Sequence, residues 1–266
     1  TLLYTLNAGR PLFSPDGSAL ALSAPEAIWL VEANTGRQKL ALEHKNVEQM
    51  LFSKDGAVLV TGGRDSLALW RVADGSLIQR QEYNRLVRLA FSAGGSLLLA
   101  QNRNKQNEPV VDLWSTADWK RQGTIKTGGT FSLSADASRL FAFSNFPTPG
   151  KIDVFQLPEG TTLPGLRIEG SIHRMTVSPD GKMLAISVPD PEMGVVRLVD
   201  LATGKVRLTL ACEHSCDAQQ PYYSPDGKVL ALYGHAPMTG GDVAVAVLYD
   251  AVSGRLLRKL VSPRDV

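Results

Sequence analysis

Apolar residues in this chain come in short runs of four to six, each closed by a polar corner. Ala57-Val58-Leu59-Val60 and Lys182-Met183-Leu184-Ala185-Ile186 are two examples. Runs this short, rich in Val, Ile and Leu and punctuated by turn residues, predict strands rather than helices. The corners themselves recur. A pentad like Phe/Val-Ser-Pro-Asp-Gly appears as Phe13-Ser14-Pro15-Asp16-Gly17, Phe52-Ser53-Lys54-Asp55-Gly56 and Phe91-Ser92-Ala93-Gly94-Gly95. It returns as Leu133-Ser134-Ala135-Asp136-Ala137, Val177-Ser178-Pro179-Asp180-Gly181 and Tyr223-Ser224-Pro225-Asp226-Gly227. The serines sit 39, 39, 42, 44 and 46 residues apart.

Each pentad residue has a job in a tight hairpin. Pro pre-sets the first corner, Asp bonds back to nearby backbone, and Gly accepts positive φ. A third strand follows in each repeat, near Ala27–Val31, Leu67–Val72, Val110–Trp114, Ile152–Leu157, Val195–Leu201 and Val243–Asp250. A second turn comes next, as in Asn34-Thr35-Gly36, Ala73-Asp74-Gly75, Ala202-Thr203-Gly204 and Val252-Ser253-Gly254. A fourth strand such as Lys205–Leu210 then leads to the next repeat. Four short strands per roughly 40 residues is the period of a propeller blade. The expectation is therefore an all-β β-propeller, one domain over residues 1–266, with six four-stranded blades centred near residues 14, 53, 92, 134, 178 and 224. A seven-bladed ring, or a fragment of a larger ring, is the alternative. Thr1–Leu6 reads as one strand more than six blades require, and is expected to pair at the outer edge of the last blade.

The second repeat resembles the WD-repeat family, through Glu43-His44, Phe52-Ser53, Thr61, Asp65 and Leu69-Trp70. The resemblance spans essentially the whole chain. It implies a hydrogen-bonded tetrad of His44, Thr61, Asp65 and Trp70, in which Asp65 accepts from His44 and Thr61 links to the Trp70 indole. The other repeats depart from it, with Trp29, Trp114, Phe155, Val199 or Tyr249 near the Trp position.

Strand order sends the pentad and Thr-Gly turns to one face and the remaining loops to the other. Several of those remaining loops are expected to be long: Gln101–Pro109, Ser144–Lys151, Val188–Gly194, Ala211–Pro221 and Gly234–Asp242. Extra loop residues most often serve recognition. Arg103, Lys105, Phe146, Met193, His235 and Met238 lie in them and are the candidate partner-binding residues. The competing reading has Phe146 packing on a neighbouring blade and the methionines filling gaps.

The 266 residues include 44% hydrophobic ones, ample for a core, while the formal net charge is only +2. That balance argues against a general nucleic-acid or membrane-surface binder. No apolar run reaches the ~18 residues of a membrane span. The start at Thr1-Leu2-Leu3-Tyr4, with neither an initiating Met nor a leader profile, reads as a trimmed or mature chain. Cys212-Glu213-His214-Ser215-Cys216 is the only cluster with soft metal ligands. Free thiols, then a small disulfide, come ahead of metal through Cys212, His214 and Cys216, because one cluster supplies at most three ligands. Asp190 and Glu192 are paired carboxylates on a Pro-rich loop with no evident acid–base partner.

No phosphate loop, nucleophile elbow or metalloprotease helix appears. The expected function is a non-enzymatic scaffold or adaptor, without cofactor, that binds a protein or peptide and belongs to a larger polypeptide or complex. One alternative is a small-molecule propeller enzyme of the lactonase kind. Another is an RNA-associated propeller of the translation-factor kind, using a basic crescent of Arg64, Arg85, Arg88, Arg103, Lys105, Lys126 and Arg174.

Overall fold

The computed structural model describes residues 11–261 except 93, 128, 145–147, 190–194, 212–219 and 239–240, and leaves the side chains of 211, 234–238, 241–244 and 261 undescribed. The described chain holds six four-stranded antiparallel sheets, the all-β architecture of a six-bladed β-propeller. By its contacts it divides into two compact units, residues 1–126 and 127–266.

The first unit carries three sheets. Blade one is β1 (Pro11–Phe13), β2 (Ala19–Ser23), β3 (Ile28–Glu32) and β4 (Gln38–Leu42). Blade two is β5 (Gln49–Phe52), β6 (Val58–Gly62), β7 (Ser66–Arg71) and β8 (Leu77–Glu82). Blade three is β9 (Arg85–Phe91), β10 (Leu97–Arg103), β11 (Pro109–Ser115) and β12 (Arg121–Lys126). In the second unit, blade four is β13 (Thr130–Leu133), β14 (Arg139–Phe143), β15 (Lys151–Gln156) and β16 (Thr161–Arg167). Blade five is β17 (Arg174–Val177), β18 (Met183–Val188), β19 (Val195–Asp200) and β20 (Val206–Ala211). Blade six is β21 (Pro221–Tyr223), β22 (Val229–Met238), β23 (Gly241–Asp250) and β24 (Leu256–Val261). Within every sheet the strands pair in chain order.

The pentads close the first hairpin of each blade by one repeated device. In all six, the serine Oγ accepts the main-chain N–H five residues on, at 2.9–3.0 Å. In five, the same hydroxyl donates to the aspartate two residues on at 2.6 Å, as Ser14 does to Asp16 and Ser178 to Asp180. The aspartate also accepts a backbone N–H two residues further along. The corner residue then turns left-handed. Gly fills that position in five pentads, and Ala137 takes it at φ 57° in the fourth. The third pentad has Gly94 in the aspartate position, so Ser92 keeps only its backbone bond and a long contact to Ser96.

Middle strands read as unbroken apolar runs because both of their faces are covered. All five residues of β6 are buried, as are five of the six in β7. In the first unit, Ile28, Leu30, Leu42, Phe52, Leu59 and Trp70 form a core between blades one and two. Val60, Leu69, Leu86, Leu98 and Trp114 do the same between blades two and three. In the second unit, Phe141, Ile152, Ile172, Leu184 and Ile186 join blades four and five, and Leu198, Leu210, Leu230 and Tyr249 join five and six. A side chain also staples neighbouring blades. Gln49 Nε2 donates to the Val87 carbonyl at 3.1 Å while its Oε1 accepts from Leu89 N at 2.8 Å. Gln220 donates to the Met175 carbonyl in the second unit.

Two expected long loops are largely strand. Pairing of β10 with β11 continues to Arg103↔Pro109, which leaves only residues 104–108 as the turn. Pairing of β22 with β23 runs to Met238↔Gly241, so Gly234–Asp242 is an extended hairpin. Antiparallel ladders are made by backbone, and the polar side chains of 101–103 do not interrupt the one with β11. Residues 1–10, with the extra strand expected over Thr1–Leu6, lie outside the described residues.

Two outcomes follow from the pentad chemistry. Gly94→Asp meets open space and an ordinary φ, and supplies the acceptor that Ser92 lacks. It should raise stability by about 1 kcal/mol, the net worth of one added hydrogen bond, in thermal or denaturant unfolding. Serine hydroxyls and backbone N–H groups hold the carboxyls of Asp16 and Asp136 at a pKa of about 2. Their contribution is therefore present above the ordinary aspartate range near pH 4 and is lost as pH falls toward 2. Acid titration of Asp16→Asn should show a shallower loss of stability across that window.

Candidate functional site

The face opposite the pentads is where polar chemistry gathers, and its first unit shows it best. His44 leads from β4 into β5 with only 3% of its surface exposed. Its Nδ1 lies 2.7 Å from Thr61 Oγ1 and its Nε2 lies 3.0 Å from Ser66 Oγ. Trp70 Nε1 donates to Thr61 Oγ1 at 2.9 Å, and that hydroxyl donates in turn to the Ala68 carbonyl. A hydroxyl has one proton, so His44 must donate from Nδ1 and accept Ser66 at Nε2. Burial, helped by the nearby Arg80 charge, lowers the His44 pKa to about 4. The ring is a neutral structural brace with both nitrogens engaged.

The resemblance-based tetrad needs one correction. Asp65 does not accept from His44; Ser66 occupies that place. The bond from Gly63 N–H to the Ser66 carbonyl makes a tight turn at the head of β7. Successive residues there face opposite ways, so Ser66 turns inward and Asp65 outward into solvent. Only the Asp65 carbonyl is used, accepting from Tyr83 N at 2.7 Å.

Blade three puts different residues at the same positions, and the Tyr83 hydroxyl and Trp114 indole make no hydrogen bond there. Tyr83 follows His44 by 39 residues, the serine spacing of these repeats. Trp114 pairs with Leu98 as Trp70 pairs with Leu59, which puts Ala100 at the register of Thr61. The Tyr83 hydroxyl and the Trp114 indole are both buried, close to each other and to Asp112, with no threonine hydroxyl to bridge them. Burial, reinforced by the Asp112 charge, pushes the Tyr83 pKa up. The Asp112 side chain is only 4% exposed, yet it is well served. Thr124 donates to it at 2.5 Å, Asn102 at 3.3 Å, and Arg121 stands 3.6 Å away.

Two clefts open above these residues. One, of about 1220 Å³, runs between blades one and two and is walled by Glu43, Lys45, Arg64, Asp65, Arg80 and Glu82. Lys45 pairs there with Glu26 at 2.6 Å, and Arg80 donates to the Glu43 carbonyl. The second, of about 520 Å³, runs between blades two and three, with Asn102, Asp112 and Tyr83 below and Arg103, Lys105 and Arg121 around it. Arg103 donates to the Asn107 carbonyl at 2.7 Å, folding the short 104–108 turn against β10.

Of the candidate partner-binding residues, the structure therefore brings Arg103 and Lys105 to one cleft. His235 and Met238 lie on β22, where only the backbone is described. Phe146 and Met193 lie outside the described residues, as do Asp190, Glu192 and the candidate ligands Cys212, His214 and Cys216. Among the described residues no group of three or more His, Cys, Asp or Glu is placed to hold a metal. Nor is any helix long and apolar enough to cross a membrane. Reading for loops overlooked Tyr83, Asn102 and Asp112; counting 39 residues on from His44 would have found the first.

No protein-family model matches the chain, and no curated protein matches it. Among solved structures it is similar to hydrazine synthase from Kuenenia stuttgartiensis, at 17% identity and a TM-score of 0.61. The likeness covers 94% of this chain and 79% of that one. At this identity it speaks for the fold alone.

The brace gives a paired test. Thr61→Val leaves both the His44 and the Trp70 N–H without an acceptor and should cost roughly 2–4 kcal/mol in denaturant unfolding, whereas Asp65→Ala should fall within about 0.5 kcal/mol of the parent. Because the folded His44 pKa lies below its unfolded value of 6.5, its stabilisation is complete above pH 6.5 and lost as pH falls toward 4. His44→Gln should flatten the stability profile across that interval.

Proposed function

We propose that the chain is a non-enzymatic interaction module, a divergent propeller of the WD-repeat kind that grips a protein or peptide through the face carrying the clefts. The contrast between the two ends of the strands supports this reading. At the pentad end, hydroxyls, carboxylates and amides satisfy one another within five of the six turns, and the pocket beside Asp16, Glu32 and Lys39 is the smaller one, at about 390 Å³. At the other end, charged side chains line larger open clefts above the hydrogen-bonded His44 and Asp112. Such preorganised walls lose little entropy when a partner binds. The groups best suited to acid–base work are already committed, since His44 uses both ring nitrogens and Asp112 is held by three neighbours.

The test is site-directed photocrosslinking in the native host. A benzoylphenylalanine at Gln106, beside the second cleft, should trap a discrete protein partner, and the same probe at Asn34, on the pentad face, should not. Equal trapping at both positions would sink the assignment of the face. Turnover of a lactone panel by the purified chain would replace this reading with an enzymatic one.

A further inference from the structure

Four cations come together where blades two and three meet: Arg64 lines the first cleft, Arg103 and Lys105 line the second, and Arg85 stands beside them. Arg85, at the start of β9, is the direct cross-strand partner of Arg103 at the end of β10. Partners in an antiparallel pair project to the same side, and like charges so placed are destabilising. Arg64 joins them from the head of blade two, because its carbonyl accepts from Leu86 N at 2.6 Å, one residue past Arg85. Lys105 stands at the rim of the cleft that Arg103 lines. Nearby, Lys45 is paired with Glu26, Arg121 with Asp112 and Lys126 with Glu108. Among the described residues no carboxylate lies within 4.0 Å of Arg64, Arg85, Arg103 or Lys105. Arg103 is steadied by the Asn107 carbonyl, which leaves guanidinium donors to spare.

We infer that Arg64, Arg85, Arg103 and Lys105 form an anion-binding site for an acidic peptide segment, one whose spaced carboxylates are taken by guanidinium forks. The inference rests on the interaction reading above and names the chemistry of its partner. Arginine forks match carboxylate geometry two bonds at a time. The surroundings choose peptide over nucleic acid. Asp65 and Glu82 are exposed on the same walls, where an unbroken phosphate chain would meet them and a peptide would set an amide or a lysine against them. His44 and Tyr83 are the aromatic rings lining the clefts, and the His44 ring and the hydroxyl end of Tyr83 are buried. Bases would find no stacking platform there.

Fluorescence anisotropy of the full chain with a labelled peptide of glutamates spaced by glycine and serine tests this, alongside an oligouridine RNA of equal charge. The wild type should bind the peptide saturably, more weakly as salt rises, and more tightly than the RNA. Arg85→Glu and Arg64→Glu should each weaken peptide binding about tenfold or more, while Lys120→Glu, at a distant turn, should change it less than about twofold. Arg85→Glu also turns a repulsive cross-strand pair into an attractive one, so its melting temperature should equal or exceed that of the wild type. Absence of saturable peptide binding, full binding by Arg85→Glu, or preference for the RNA overturns the inference. If the Gln106 probe still traps its partner while the peptide fails to bind, the acidic-peptide assignment falls and the interaction reading stands. Peptide binding without any trapped partner gives the reverse.

Discussion

Everything in this protein hangs from a serine hydroxyl that serves two masters. In each pentad the Oγ takes the main-chain N–H that opens the second strand, and in five of them it hands its own proton to an aspartate two residues on. The two bonds fix both sides of the corner, so the strands leaving it are aligned before any core residue packs. The aspartate, ionised and held by further N–H groups, turns a weak neutral bond into a charge-assisted one. Five corners of this kind, and a sixth at Ser92 without the aspartate, align the first two strands of six sheets, and the buried runs of β6, β7 and their counterparts then need only fill the space between blades.

The corners were legible because their chemistry is local, spanning five or six residues. Ser14, Asp16 and Gly17 announce a turn whatever surrounds them. Contacts that depend on where a loop points were less so. Asp65 and Ser66 are adjacent, and only the turn from Gly63 decides which faces His44. The polar stretch Gln101-Asn102-Arg103 reads as loop, yet it carries the ladder, since hydrogen bonding along β10 is blind to side-chain polarity. The Tyr83–Trp114 pair was hidden for a different reason: it takes the places of His44 and Trp70 without the threonine that would identify them.

The candidate site divides along the same line. Arg103 and Lys105 were visible as cations in an amide-rich segment, and Arg64 and Arg85 as members of a scattered basic set. What sequence could not convey is that Arg85 and Arg103 are paired across a sheet while Lys126 is matched to Glu108. Charge balance over 266 residues conceals where the cations without a carboxylate partner gather. Only cross-strand register separates cations that are spent within the fold from those held in reserve.

The Gln49 staple has an evolutionary corollary. Its amide addresses the Val87 carbonyl and the Leu89 N–H, groups that every residue except proline presents alike. Adjacent blades held in that way can exchange the exposed side chains of the docked strand, Val87 among them, without losing alignment. Sequence drift between repeats is thereby tolerated at the seam, and a chain whose blades share little beyond their corners can still assemble as a series of matched sheets.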